Sequence, residues 1–355
     1  MDQYRIDSHK LHFHIPRLHE WLQGETVYPI YAELSPSGMC NHRCTFCALD
    51  FMGYRKKFLD TEMLQERLAE MGRLGVKSIM FGGEGEPLLH KDIARLVQTA
   101  YAGGIDTAFT TNGVLLDAAR AERIIDLSQW VKVSLNAGTP QTYARIHQTR
   151  PADFGKVLDN LAYAASYRAR VGSSCVLGAQ ILLLPENRGE ISLLARQAKD
   201  TGLDYLVVKP YSHHPATVSE RYKDIRYEDI EEICAEAQRF SDEKFRVIIR
   251  ADTMQAWNHS ARSYQRCLAL PFWSYIDASG NVWGCSAHLG DERFRYGNIY
   301  DESFEQIWQG QRRRESLHWV EHELNAAECR INCRMDKINQ YLWELQHPPD
   351  HVNFI

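Results

Sequence analysis

Apolar residues alternate between two rhythms along the first two thirds of the chain. Short apolar-rich runs at Pro29 to Leu34, Ser78 to Phe81, Asp106 to Thr110, Val131 to Leu135, Val176 to Leu184 and Tyr205 to Val208 have the length and composition of buried strands. Between them, apolar residues recur every three or four positions, the period of an amphipathic helix. The clearest such segment is capped by Asp60, runs along Leu64, Leu68, Met71 and Leu74, and stops at Gly75. Further helices are predicted from Leu88 to Ala102, after Leu116, up to Tyr167, and from Gly189 to Thr201. Strands separated by helices predict an α/β fold with a parallel sheet and right-handed crossovers. A barrel and an open doubly wound sheet both satisfy the pattern, and both gather ligands at the C-terminal strand ends.

The rhythm changes after about residue 225. A helix from Tyr227 to Phe240 and a strand from Arg246 to Arg250 are followed by a hairpin, Phe272 to Cys285, turning at Asp277 to Asn281. The remainder reads as helical with a polar tail. This divides the chain into an N-terminal arm (1–30), a main α/β domain (31–255) and a small α+β extension (256–355). The arm is polar and carries His9, His12, His14 and His19 without tight ligand spacing, so it reads as a surface segment.

Lys plus Arg is 41 and Asp plus Glu is 46, a net charge of −5, which gives no general attraction to nucleic acid or an anionic membrane. The start resembles no secretion signal, and the longest apolar stretch, Val176 to Leu184, is interrupted by Gln180 and is too short to span a bilayer. A cytoplasmic protein is expected. The nine cysteines, an odd number, argue against a disulfide framework.

Seven of those cysteines fall into two groups. Cys40, Cys44 and Cys47 follow the first strand with C-x3-C-x2-C spacing. Three close thiolates leave one iron of a [4Fe–4S] cluster without a protein ligand, and an open iron can bind a small molecule. The competing reading is zinc with a borrowed fourth ligand such as His42. Cys175 and Cys234 stand alone and read as small core residues.

Here the sequence resembles the radical S-adenosylmethionine (SAM) superfamily, whose members carry this spacing after the first strand of a partial (β/α)6 barrel. Phe46 matches the aromatic residue usual before the last cysteine. Gly82, Gly83, Glu84, Gly85, Glu86 and Pro87, after the second strand, resemble the family's Gly-Gly-Glu-Pro motif for the SAM amino group. Two residues are extra, which leaves Glu84 and Glu86 both open as its carboxylate. Ser134 and Asn136, at the end of strand four, match polar positions that contact SAM. Arg145 resembles an arginine that pairs with its carboxylate, competing with a plain surface arginine. Thr111, Asn112 and Gly113 resemble a recurrent family turn. The resemblance, over residues 28 to 215, implies reductive cleavage of SAM to methionine and a 5′-deoxyadenosyl radical that abstracts hydrogen from substrate. It also implies an external one-electron donor such as flavodoxin or ferredoxin.

Cys267 and Cys285 flank the hairpin, Gly280 precedes Cys285 by five residues, and Cys329 and Cys333 lie downstream. This resembles the SPASM/twitch extensions of the same family. Four thiols suffice for one fully ligated auxiliary [4Fe–4S] cluster, implying two [4Fe–4S] clusters in all. Zinc held by four thiolates is the alternative. At the end of strand six, Lys209, Tyr211 and His213 are candidates for an exposed barrel mouth that binds substrate or moves a proton. Twitch-type relatives act on sugars and nucleotides, which favours a small, polar, anionic substrate. A peptide-modifying maturase is the runner-up, and a non-catalytic zinc-binding module the alternative of another class.

Overall fold

The computed structural model describes residues 4–6, 8–258, 262–331 and 333–354. Helix α1 (Ile15–Leu22) precedes β1 (Tyr31–Leu34). Then follow α2 (Thr61–Arg73), β2 (Ser78–Phe81), α3 (Ile93–Ala102), β3 (Asp106–Thr111), α4 (Ala118–Ile124) and β4 (Ser128–Ser134). Next come α5 (Pro140–His147), α6 (Ala152–Val171), β5 (Val176–Leu182), α7 (Ile191–Asp200) and β6 (Tyr205–Lys209). The chain continues through α8 (Glu231–Gln238), β7 (Arg246–Ile249), α9 (Ala251–Asn258), β8 (Trp273–Ile276), β9 (Asn281–Trp283) and β10 (Arg295–Asn298). It ends with α10 (Phe304–Gln309), α11 (Gln311–His322) and α12 (Asp336–Gln346).

Strands β1 to β7 pair in chain order and all in parallel. One face of each strand packs under the helices: Leu34, Phe81, Phe109, Val131, Val133, Leu177, Ile181, Leu206 and Val208 belong to one continuous core. Alternate residues therefore point to the other, inner face. That inner face carries polar groups, and Gln180 donates to Ser134 Oγ at 2.8 Å across β5 and β4.

This is the expected partial barrel with additions at both edges. The strand at Arg246–Ile249 is not outside the repeat, because it pairs in parallel with β6 as a seventh strand. On the other edge the hairpin strand β8 pairs in parallel with β1, so the C-terminal segment prolongs the same sheet. Its turn is where the sequence places it. Asp277 accepts hydrogen bonds from Ser279 N, Asn281 N, Asn281 Nδ2 and Trp283 Nε1, which fixes the hairpin. Strand β10, antiparallel to β9, lies where only helix was expected.

The arm is more than a surface segment. Pro16 in the first turn of α1 supplies a fixed helical φ, and Leu11 and Leu18 are buried in a second core with Phe272, Trp273, Val320 and Leu342. No helix among the described residues is long and apolar enough to cross a membrane.

Candidate active site

The first cysteine group is held by two elements. Immediately before it, residues 35–39 form a strap beside the glycine-rich turn after β2, and Met39 O accepts Glu86 N at 2.9 Å. The cysteine loop itself docks onto the end of α5. A left-handed Gln148 (φ 50°) ends that helix and leaves carbonyls without helical partners. Arg43 N donates to His147 O at 3.2 Å and Thr45 N to Ile146 O at 2.9 Å, so the residues on either side of Cys44 satisfy them.

Burial pushes the Cys40 thiol up to about 12, with the Glu86 charge adding to it. Cys44 is also raised, first by burial and then by the neighbouring Cys47 and Cys40. Cys47 is raised by burial, partly offset by a hydrogen bond from Tyr54. Three soft donors close enough to act on one another, in surroundings that disfavour free thiolates, fit a cationic iron–sulfur cluster.

A zinc site would draw on a different set. His42, Cys44 and His147 bring donor atoms within 4.8 Å of one another. Yet His147 Nε2 already accepts Asn136 N–H at 3.3 Å, and its Nδ1 faces Cys44 Sγ at 3.3 Å. That ring is engaged by hydrogen bonding at both nitrogens. Phe46 meets the same ring edge-on, centroids 5.5 Å apart.

Glu84 and Glu86 are separated by environment. Glu86 is buried and accepts from Thr111 Oγ1 at 2.5 Å, Asn112 N at 2.8 Å and Leu88 N at 3.1 Å. The turn at Thr111–Gly113 thus serves to hold this carboxylate beside the cysteine loop, and Asn112 Nδ2 also donates to Asn41 Oδ1 at 2.6 Å. Glu84 turns toward the hairpin, where its Oε1 accepts Ala278 N at 2.7 Å, and burial raises it to about 7. Gly83 adopts φ 101°, and a Cβ on Gly85 would collide with the carbonyl oxygens of Ser37 and Met39. Gly85→Ala is therefore expected to displace the strap that leads into Cys40. Overpacking of this kind costs about 1–3 kcal/mol, so a lower melting temperature and weaker iron retention than in the parent should be measured together.

Ser134 sits on the inner face of β4 as expected. Asn136 is fully buried, with Oδ1 accepting Leu182 N at 2.7 Å and its carbonyl accepting Asn187 Nδ2 at 2.9 Å. Arg145 lies on the exposed face of α5, within 3.4 Å of Thr142 Oγ1 and Glu186 O.

The second cysteine group lies in the second core. Cys267, Cys285 and Cys333 pack against it, and Asn339 Nδ2 donates to Cys267 Sγ at 3.6 Å. Burial pushes Cys267 up to about 12, with Cys333 and Cys329 contributing, and raises Cys285, with Cys333 and Cys267 contributing. Cys333 thus bears on each of the other three thiols, and Cys267 on Cys285, which places the four in one neighbourhood suited to a thiolate-ligated cluster. Arg262 braces their loop through the carbonyls of Cys329 and Arg330.

Cys329 and Cys333 line a cavity of about 1030 Å³ that reaches the starts of β1 to β5, with Tyr31, Lys77, Arg250, Trp273 and Arg334 in its wall. Arg334 forms an ion pair with Glu33 on the inner face of β1. Two lysines join this charge cluster. Lys132 is lowered to about 8 by burial first, then by Arg334 and Arg250. Lys209 is lowered by burial, then by Lys132, Arg250 and Arg334. Among the described residues, neither lysine has a hydrogen-bond or ion-pair partner; Lys132 only leans over the Trp130 ring at 5.1 Å.

Lys209 ends β6, paired with Leu182, and is half-buried on the inner face that it shares with Tyr205 and Val207. Tyr211 does not accompany it. Its ring is buried among Tyr222 and Trp257, and its backbone N–H donates to Tyr227 Oη at 2.5 Å. His213 lies beside Tyr211, ring centroids 6.1 Å apart. Lys132, which the sequence reading passed over, is the residue that shares the lysine site.

With this geometry in place, comparison with known proteins decides the family. Residues 34–198 match the radical SAM superfamily and residues 267–334 match SPASM, an iron–sulfur cluster-binding domain. The chain belongs to the radical SAM superfamily. It carries a SPASM/twitch-type extension, and its cofactors are SAM, the SAM-binding [4Fe–4S] cluster and auxiliary iron–sulfur ligation. The non-catalytic zinc module gives way to this assignment.

Among curated proteins, the chain is 30% identical over 196 residues to a GTP 3′,8-cyclase of Chlorobaculum tepidum, covering 54% of this chain and 56% of that protein. It is 31% identical over 186 residues to a GTP 3′,8-cyclase of Rhizobium leguminosarum bv. trifolii, covering 50% and 51%. The chain thus spans about half the length of these relatives. Among solved structures, Streptococcus suis SuiB bound to SAM superposes with a TM-score of 0.61 at 19% identity, covering 84% of this chain and 70% of that one. Native anSMEcpe with bound SAM gives 0.58 at 16% identity, covering 90% and 98%. These likenesses establish the fold.

Proposed function

We propose that the protein is a radical SAM enzyme acting on a small anionic metabolite, a phosphorylated or carboxylated sugar or nucleoside, held in the barrel lumen. When bound together, the cluster and SAM supply a 5′-deoxyadenosyl radical for hydrogen abstraction. In this reading Cys40, Cys44 and Cys47 hold the SAM-binding cluster, and Cys267, Cys285, Cys329 and Cys333 the auxiliary one. Glu86 is the carboxylate for the SAM amino group, because its charge is the one that bears on Cys40 and Cys44. Gly82 and Gly83 admit the ligand to the backbone, while Phe46, Ser134 and Asn136 shape the rest of its site; Arg145, exposed on α5 and bonded to Thr142 Oγ1 and Glu186 O, is left out of it. The main domain gives way to the extension near residue 255, within α9, and the auxiliary ligands all follow that point. A small one-electron donor such as a flavodoxin or ferredoxin completes the system.

The observation that carries the substrate class is the pair Lys132 and Lys209 on the inner face, with neither an ion-pair nor a hydrogen-bond partner among the described residues. Both ammonium groups are half-buried on the inner face, where Arg334 and Arg250 repel them and the Glu33 carboxylate offsets this only in part, so an anionic ligand would stabilise them. The cyclase relatives, whose named substrate is an anionic nucleotide, agree with this reading. A peptide substrate is the second reading, favoured by the overall likeness to SuiB, which has also been solved with its precursor peptide SuiA.

The primary test compares metabolites of a host with and without the active gene product, seeking an anionic compound that disappears. Consumption of a peptide, and of no small anion, overturns the proposal. Lys209→Met is expected to lower kcat/KM on the consumed compound by roughly ten- to a hundredfold, the size of one lost charge-assisted contact. SAM cleavage without substrate should continue. Tyr211 and His213 lie off this pair, so His213→Ala is expected to change kcat/KM less than Lys209→Met does in the same assay.

A further inference from the structure

We infer that His147 is a positioning residue for the SAM-binding cluster: its Nδ1–H donates a hydrogen bond to the sulfur of Cys44 and thereby raises the cluster's reduction potential. The inference rests on Cys44 being a cluster ligand.

The Asn136 backbone N–H can only donate, and it meets His147 Nε2 at 3.3 Å. Nε2 must therefore carry its lone pair. The proton of the neutral imidazole is then on Nδ1, which faces Cys44 Sγ at 3.3 Å. A hydrogen bond at one ring nitrogen fixes the tautomer presented by the other, the arrangement by which ligand surroundings are commonly tuned.

The ring has no freedom to turn away. His147 is fully buried, stacked on Tyr143 with centroids 4.2 Å apart, and closed in by the edges of His42 at 5.3 Å and Phe46 at 5.5 Å. Its own carbonyl holds the cysteine loop through Arg43 N, and Ile146 O holds it through Thr45 N. The same helix turn thus fixes both the loop backbone and the donor to the loop's middle sulfur.

A donor on a ligand sulfur stabilises the form with more negative charge. Hydrogen bonds to the sulfurs are one of the levers that set the potential of an iron–sulfur cluster. Reduction adds one electron to the cluster, so the reduced form gains more from the Nδ1–H than the oxidised form.

The test uses the reconstituted full chain, with the SAM-binding cluster followed by electron paramagnetic resonance during a redox titration. His147→Phe keeps an aromatic ring and removes the donor. The expected result is parental iron content with about a tenfold smaller equilibrium constant for one-electron reduction, a shift of about 59 mV to more negative potential. His147→Gln, which restores an N–H donor, should move the potential back toward the parent. An unchanged potential in a fully loaded His147→Phe protein overturns the inference.

If His147→Phe does not fold, the parent protein labelled with ¹⁵N-histidine decides the matter. A weak hyperfine coupling from one histidine nitrogen to the reduced cluster is expected. No coupling, or the strong coupling of a nitrogen bound directly to iron, overturns the inference. Failure of the underlying ligand assignment looks different: Cys44→Ala would then retain the SAM-binding cluster.

Discussion

Replacing Cys40, Cys44 and Cys47 together with Ala is expected to abolish 5′-deoxyadenosine formation while leaving the auxiliary cluster assembled. The parent should hold about eight irons per chain, as two cubane clusters do, and the triple variant about four. The separation follows from the fold. The first group sits on the loop after β1 and is held by α5 and the strap at residues 35–39. The second lies in a different core, between the hairpin and α12, where Asn339 both donates to Cys267 and accepts from Leu268 N and Ala269 N. Losing the three thiols therefore removes no ligand from the second site, and Leu49, Phe51 and Met52, which follow Cys47 and pack against the second core, are left in place. Undiminished 5′-deoxyadenosine from the triple variant would sink the assignment, and so would an iron content near zero, which would mean that the two sites assemble as one.

Much of this architecture was legible because local and tertiary signals agree. Ser78–Phe81 is a strand in both the sequence and the structure, since Ile79, Met80 and Phe81, between a helix stop and a glycine turn, are too short a run for a buried helix. Asp60 caps α2 through Met63 N at 2.9 Å, as its position before the apolar period implies. The hairpin was legible because Asp277 and Gly280 encode the turn directly. Legibility fails where contacts distant in sequence decide. Nothing in Arg246–Ile249 indicates that it will extend the parallel sheet, nor in Arg295–Asn298 that it will pair with β9. The helix run toward Tyr167 breaks at Gln148, three residues before Pro151, and the end of α5 so freed bonds the cysteine loop a hundred positions earlier.

The site shows the same division. The seven clustered cysteines announce themselves by spacing. His147 carries no motif and becomes visible only when Cys44 and Asn136 are placed on either side of its ring. Lys132 is an intermediate case. It alternates with Val131 and Val133 and so shares the face of Ser134, which the sequence reading had already turned toward the ligand. The alternation was sufficient to find it.

That lysine leads to the second large effect. The double variant Lys132→Met, Lys209→Met is expected to lower kcat/KM for the anionic substrate by on the order of 10² to 10⁴. Each charge-assisted contact contributes about 1.5–3 kcal/mol, and two approaching one anionic group fall short of simple addition when removed singly. The parent's pH profile carries the same signature. Burial and the nearby arginines lower Lys132 to about 8. The ammonium form, which binds the anion, therefore prevails below that pH and is lost as pH rises through it. Anion binding should accordingly weaken above pH 8. Pyrophosphate serves as a probe before the substrate is known, with its dissociation constant measured at pH 7 and pH 9 in parent and double variant. The parent should bind it more weakly at pH 9, whereas the double variant should bind weakly at both values and show little dependence on pH. An added anion pulls the lysine's pKa back up, so kcat should respond to pH less than kcat/KM does. Equal pyrophosphate binding by parent and double variant would place the anion elsewhere and leave Lys132 and Lys209 as structural charges of the barrel wall.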